Sequence, residues 1–233
     1  MIHLSARLQA IADWIPPGAY VADIGSDHGR LPAYLAQRGD VANIVATDLR
    51  QKPLDRTHAL LTRCGLLDRV TLRLQDGLHG LMPQEVDTVV LAGMGGDVMA
   101  SILAAGPVYP YVTYLIQPAS RPETIRAFLP PHRFVVRRER LIADDGRLYV
   151  LIEAAFTGQS GTLWPESGGS DHLSPALLCD PLLPVYLARI LARLKKEYAA
   201  LSQQPAPKKD RLVYVRGQIT ALQSLLKERN AHP

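Results

Sequence analysis

Cysteine is nearly absent from this chain: Cys64 and Cys179 are the only two among 233 residues. Thiols so far apart fit neither a disulfide framework nor a zinc-ligand spacing, and they read as isolated side chains in a reducing compartment. Long apolar runs are missing too, none approaching the ~18 residues that a membrane-spanning helix needs. No basic segment followed by an apolar stretch and a small-residue cleavage site opens the chain, so no secretory leader is expected. A soluble, cytoplasmic protein is the expectation. Also missing is the bare Gly-x-Gly-x-x-Gly loop with which nucleotide folds hold a dinucleotide pyrophosphate. Net charge is absent from most of the chain: residues 1–157 carry 16 Lys and Arg against 16 Asp and Glu. Residues 158–233, with 10 bases against 6 acids, account for the whole formal charge of +4.

What stands in place of the bare glycine loop is the run Tyr20-Val21-Ala22-Asp23-Ile24-Gly25-Ser26-Asp27-His28-Gly29-Arg30. An apolar strand enters a Gly-x-Asp-x-Gly turn and gives way to a helical pattern beginning at Leu31. This is the first strand–turn–helix of a nucleotide-type α/β domain, in which ligands sit at the carboxyl ends of the strands. Glycine lets the backbone approach a ligand closely, but Asp23 and Asp27 would repel a pyrophosphate. They suit a cationic ligand, such as the amino group and sulfonium of S-adenosylmethionine. A nicotinamide dehydrogenase is disfavoured on the same ground.

The following strands repeat the signal. Residues 43–48 end at Asp48 and Leu49, where such folds place a carboxylate on ribose hydroxyls. Residues 70–74 run into Gln75-Asp76-Gly77, a carboxylate able to accept from an adenine amine beside a glycine that leaves room for the ring. Residues 86–92 end in Gly93-Met94-Gly95-Gly96. A single Asp at a strand end is most often a cap or turn residue. Asp at three successive strand ends points to a donor site instead.

With 47% apolar residues the chain can build a core, and its length allows one ordinary domain with a smaller appendage. Ser5 is placed to cap a short amphipathic helix carrying Leu8, Ile11 and Trp14. Strands and helices then alternate: strand 20–24, helix 30–38, strand 43–48, helix 52–64, strands 70–74 and 86–92, helix 97–105, strand 111–116 and a helix near 121–129. Residues 134–142 and 148–152 form a hairpin about Asp144-Asp145-Gly146. An antiparallel pair closing an otherwise parallel sheet is the arrangement of class I methyltransferases. The expected fold is α/β and Rossmann-like over residues 1–157, followed by a linker from Thr157 to about Asp171 and a helical arm within 158–233.

In that arm Leu191, Leu194, Tyr198 and Leu201, and then Leu212, Val215, Ile219, Leu222 and Leu226, keep alternating spacings of three and four. These are the seams of two helices, folded back on each other at Gln203–Pro207 into an antiparallel hairpin. Arg189, Arg193, Lys195, Lys196, Lys208, Lys209, Arg211 and Arg216 crowd the same arm. Such a run is commonly a solvated helix face. Attached to a methyl-donor domain, it points to a polyanionic substrate held by its phosphates.

Several motifs carry a family resemblance: Leu4-Ser5-x-Arg7-Leu8, Ala22 to His28, Gln75-Asp76-Gly77, Ala92 to Gly96, Leu115-Ile116-Gln117-Pro118, and the hairpin Asp145-Gly146. The chain resembles, along almost its full length, the bacterial tRNA (adenine(22)-N1)-methyltransferase family. The resemblance implies a Rossmann-like domain with a C-terminal helical coiled-coil domain, S-adenosylmethionine as donor and tRNA as partner. One departure is Ala119, where the family motif has an asparagine after Gln-Pro. On this resemblance the target is adenine N1, and Asp27 becomes the candidate for stabilising the charge that develops on the ring. His28 is a candidate hydrogen-bond partner of base or donor, and Gln117 and Pro118, with Gly93 to Gly95, a floor for the base. The competing readings are a methyltransferase for another RNA or a small molecule, and a non-catalytic RNA-binding module.

Overall fold

Seven strands form one sheet in the computed structural model, which describes residues 2–159, 171–204 and 208–231. They are β1 (Tyr20–Ile24), β2 (Asn43–Asp48), β3 (Thr71–Leu74), β4 (Thr88–Ala92), β5 (Thr113–Gln117), β6 (Phe134–Asp144) and β7 (Arg147–Phe156). The order across the sheet is β3-β2-β1-β4-β5-β7-β6. β1 pairs in parallel with β2 on one side and with β4 on the other. The chain therefore reverses its direction of winding at β1, and a crevice opens at the carboxyl ends of β1 and β4. β7 is antiparallel to both of its neighbours, β5 and β6, the single reversed strand that the sequence pattern implies.

The helices of this part are α1 (Ala6–Trp14), α2 (Arg30–Arg38), α3 (Gln51–Cys64), α4 (Gly96–Ala105) and α5 (Pro122–Phe128). Central strands are apolar throughout because both faces are covered: four of the five β1 residues are buried, and Val21, Ile44, Ala46, Val90 and Leu115 meet in one cluster. α1 adds Ala10, Ile11 and Ala12 to that cluster. Ser5 occupies the N-cap position of α1 with extended backbone, but its hydroxyl makes no capping bond, contrary to expectation. β7 runs on to Phe156 rather than ending at Ile152, because pairing with β6 continues as far as Phe134. The turn between them has Asp145 at φ 46° and Gly146 at φ 69°. Two successive left-handed residues make the tight hairpin turn whose twist matches the strands.

The chain divides into two compact units, Met1–Gly161 and Thr162–Pro233. The break falls in the Gly/Ser-rich stretch read as a linker, of which residues 160–170 lie outside the described residues, as do 205–207 of the expected helical break. The second unit contains α6 (Leu183–Ser202) and α7 (Lys209–Ala231), packed on each other. Arg211, at the start of α7, bonds Glu197 near the end of α6 at 2.7 Å, as antiparallel packing requires. The buried stripe of α6 starts earlier than the sequence seam: Leu183, Tyr186, Leu187 and Ile190 join Leu191 and Leu194, while Tyr198 and Leu201 are half-buried. On α7, Val215 and Leu222 are buried as expected, with Gln218 between them.

Candidate active site

At the crevice of the first unit lies a cavity of about 760 Å³. The loop from β1 to α2 contributes Asp23, Gly25, Ser26, Asp27, His28 and Arg30 to its wall. Asp48, Leu49 and Arg50 follow β2, and Gln75, Asp76 and Gly77 follow β3. Gly93 and Met94 follow β4, and Ser5, Arg7 and Leu8 come from the N-terminal helix. The structure thus gathers the donor-site candidates read from sequence, Gly95 excepted. Gly95 instead occupies the N-cap of α4 and bridges to Ser120.

Asp23 and Asp48 are both buried, at 5% and 7% exposure. Burial, and secondarily the charge of Asp48, raises the Asp23 carboxyl from 3.8 to about 7. Asp48 accepts the Arg50 N–H at 3.0 Å. Three of the loop amides are engaged: Gly25 and Ser26 both donate to the Thr47 carbonyl at 2.9 Å, and Gly29 donates to the Ser26 carbonyl at 2.8 Å. Gly29 has φ +63°, and a Cβ there would lie 2.5 Å from Thr57 Cγ2. Only glycine lets α2 start so close to α3. A loop with these three N–H groups engaged, and with carboxylates among its polar groups, is a poor pyrophosphate site. It fits a ligand that brings positive charge and hydroxyl donors, and so fits S-adenosylmethionine.

The remaining candidates are placed differently. Asp27, at φ 40°, is half-exposed; its carboxylate is ion-paired with Arg56 and lies 3.4 Å from His28 Nε2. Gln117 and Pro118, read as part of a floor for the base, are buried and do not line this cavity. Gln117 works from behind: its Oε1 accepts from Arg7 Nη1 at 3.0 Å, and its own amide donates to the Pro118 carbonyl at 2.9 Å. Arg7, which does line the cavity, also pairs with Asp144 at 3.6 Å and lies 5.5 Å from the Tyr149 ring centre. Ser5 beside it has a buried hydroxyl with no hydrogen-bond partner among the described residues. Neither Ser5 nor Arg7 emerged as a site residue from strand-end reasoning, although both lie in the Leu-Ser-x-Arg-Leu motif.

In the second unit, Arg189, Arg193, Lys195, Lys196, Lys208, Lys209, Arg211 and Arg216 are all exposed. Arg211 is committed to Glu197 and stands 4.8 Å from the Tyr214 ring centre.

A family model described as a methyltransferase domain matches residues 4–152, the unit that holds the cavity. The chain belongs to this methyltransferase family. Its catalytic domain is similar to the tRNA (adenine(22)-N(1))-methyltransferase of Bacillus subtilis (strain 168), with 33% identity over 155 residues. That match spans 66% of this chain and 65% of the relative, just under two thirds of its length. In three dimensions the methyltransferase is similar to the crystal structure of the B. subtilis tRNA methyltransferase TrmK, with a TM-score of 0.80 and 28% identity over 97% of this chain and 99% of that one. A Streptococcus agalactiae protein of the NADB-Rossmann superfamily gives a TM-score of 0.79 and 26% identity, over 96% of this chain and 97% of its own. Among the described residues, no helix is long and apolar enough to cross a membrane and no metal-holding cluster of His, Cys, Asp and Glu occurs.

Proposed function

We propose that the chain transfers the methyl group of S-adenosylmethionine to N1 of an adenine in tRNA, at position 22, and that it acts in the cytoplasm. The observation that carries this reading is the carboxylate-lined cavity at the switch point, in a methyltransferase domain similar to that of the tRNA (adenine(22)-N(1))-methyltransferase. S-adenosylmethionine, when bound, supplies an electrophilic methyl group on a positively charged sulfur. Asp23 favours the cationic end of the donor, Asp48 accepts from ribose hydroxyls, and Asp76 accepts from the adenine amine. Adenine N1 carries its lone pair in the ring plane, so no residue has to remove a proton before attack. The protein's task is alignment, which is worth up to roughly 7–11 kcal/mol. Asp27, sharing its charge with Arg56 and His28, offsets the positive charge that appears on the methylated ring. N1 lies on the pairing edge, so the base must be unpaired when it enters.

The test is methyl transfer to unmodified tRNA followed by nucleoside analysis. 1-Methyladenosine confined to position 22 is the expected product, and methylation of another position or of no tRNA overturns the reading. The exposed bases of the second unit serve as phosphate contacts. Reversing Arg189, Arg193, Lys195 and Lys196 to Glu should weaken tRNA binding and lower the salt slope by roughly 0.7–0.9 for each phosphate no longer neutralised. Donor affinity should stay as in the wild type. A charge-reversed protein with wild-type tRNA affinity and slope would make those charges merely solvated.

The position of Asp23 gives a pH dependence. Its carboxyl is raised from 3.8 to about 7 by folding. Between those values the folded chain holds a proton that the unfolded chain has lost, so this group's contribution to stability falls as pH rises through that window. A cationic donor favours the ionised form. Affinity for S-adenosylmethionine should therefore climb from pH 5.5 to about 7, by up to ~tenfold per unit, and then flatten. Binding should release protons, seen in calorimetry as a dependence on the buffer's ionisation heat. Asp23→Asn should bind more weakly and lose the climb; the same climb in Asp23→Asn would assign the titration to another group.

A further inference from the structure

Beside the donor cavity is a second one of about 510 Å³, walled by the N-terminal segment, the start of α2 and one face of α3. Three guanidinium groups, Arg30, Arg56 and Arg63, and two imidazoles, His3 and His28, line it, with no Asp or Glu in the wall. Arg56 reaches Asp27. Arg30 and Arg63 are exposed and make no hydrogen bond or ion pair among the described residues. α3 presents its cations by periodicity: Arg56 and Arg63 are seven residues apart on one face, with the small Ala59 between them. The donor cavity mixes Asp23, Asp27, Asp48 and Asp76 with Arg7, Arg30 and Arg50, whereas the charged groups in the wall of its neighbour are bases alone.

His28 and Arg30 belong to both walls. A nucleotide whose base enters the donor cavity has a phosphodiester on either side of it, and the adjoining groove offers cations with no carboxylate in its wall. A guanidinium is a planar fork that matches phosphate oxygens, and it holds its charge at any pH of interest. We infer that this groove seats the phosphodiester backbone flanking the target nucleotide. The inference rests on the RNA-methyltransferase reading and adds to it an RNA contact within the methyltransferase unit itself, separate from the basic helical arm.

Arg63 tests it, being exposed in the last turn of α3 and outside the donor cavity. Arg63→Glu should raise KM for tRNA about tenfold or more, with the loss falling on KM, and should lower the log–log salt slope by roughly 0.7–0.9 for one phosphate contact. Affinity for S-adenosylmethionine and thermal stability should remain those of the wild type, and Arg63→Lys should restore most of the tRNA affinity. Unaltered KM and salt slope in Arg63→Glu overturn the groove, as does a loss of donor affinity equal to the loss for tRNA. Were the wild type to transfer no methyl group to tRNA, the enzymatic reading would fail by itself. Direct tRNA binding would still decide: weaker binding by Arg63→Glu sustains the groove and equal binding overturns it.

Discussion

Arg126→Met should destabilise the methyltransferase unit by about 3–5 kcal/mol, the cost of breaking a buried ion pair by removing one partner. Arg126 lies on α5 and Glu139 on β6, both side chains fully inaccessible to solvent. The guanidinium Nε and Nη2 donate to Glu139 Oε1 at 2.8 and 2.5 Å. β6 has a register shift between Val136 and Arg138, just before Glu139. Without Arg126 the carboxylate loses two charge-assisted hydrogen bonds inside the protein. For a unit of this size the loss amounts to a melting temperature lower by roughly 10 °C or more. Arg126→Met combined with Glu139→Leu should recover much of it, because a well-packed apolar pair has no charge to desolvate. Thermal unfolding of both variants is the measurement. A single variant melting within about 2 °C of the wild type would show that water reaches the site.

What the sequence discloses, and what it conceals, follows from the range of each interaction. The placing of Asp23, Asp48 and Asp76 at the cavity was legible because each stands at a strand end, where strand and acid are neighbours in the chain. The hairpin at Asp145-Gly146 was legible for the same reason. Arg7 was not: its partners Gln117 and Asp144 are 110 and 137 residues away, and no periodicity in the N-terminal helix marks one of its faces as part of a site. The partners of Gln117 were hidden as well, because a polar residue at a strand end does not disclose that its amide meets Arg7 and the Pro118 carbonyl. The glycine loop misleads in a related way. Its Gly25 and Ser26 N–H groups donate to Thr47, a partner that only the β1–β2 pairing supplies. Ser5 fails as a cap although residue type and position both favour it, since its hydroxyl is enclosed at the cavity wall instead. The early start of the α6 stripe escaped because Leu183, Tyr186 and Leu187 precede the stretch in which the spacing of three and four is regular.

Arg7→Ala should reduce methyl transfer about 10–100-fold, the kinetic equivalent of losing a charge-assisted hydrogen bond of roughly 1.5–3 kcal/mol. Arg7 joins the N-terminal helix to the ends of three strands. It donates to Gln117 at the end of β5, pairs with Asp144 at the end of β6, and stands near the Tyr149 ring on β7. Its Nη1 also lies 3.5 Å from where a Cβ on Gly93 would be. The guanidinium is therefore a wall of the cavity as well as a clamp on α1. Truncation would leave the buried Gln117 amide oxygen without its donor and open the cavity on the side of the helix. Arg7→Lys keeps the charge but lacks the fork that serves Gln117 and Asp144 together, so it should fall between wild type and alanine. Gln117→Leu separates the two functions of the arginine. It removes the acceptor while Asp144 remains, so if the position of Arg7 is what matters, turnover falls and donor affinity changes little. Thermal melting of each variant distinguishes a lost wall from a lost fold. Wild-type turnover in Arg7→Ala, at unchanged melting temperature, would reduce Arg7 to a surface tether for the N-terminal helix.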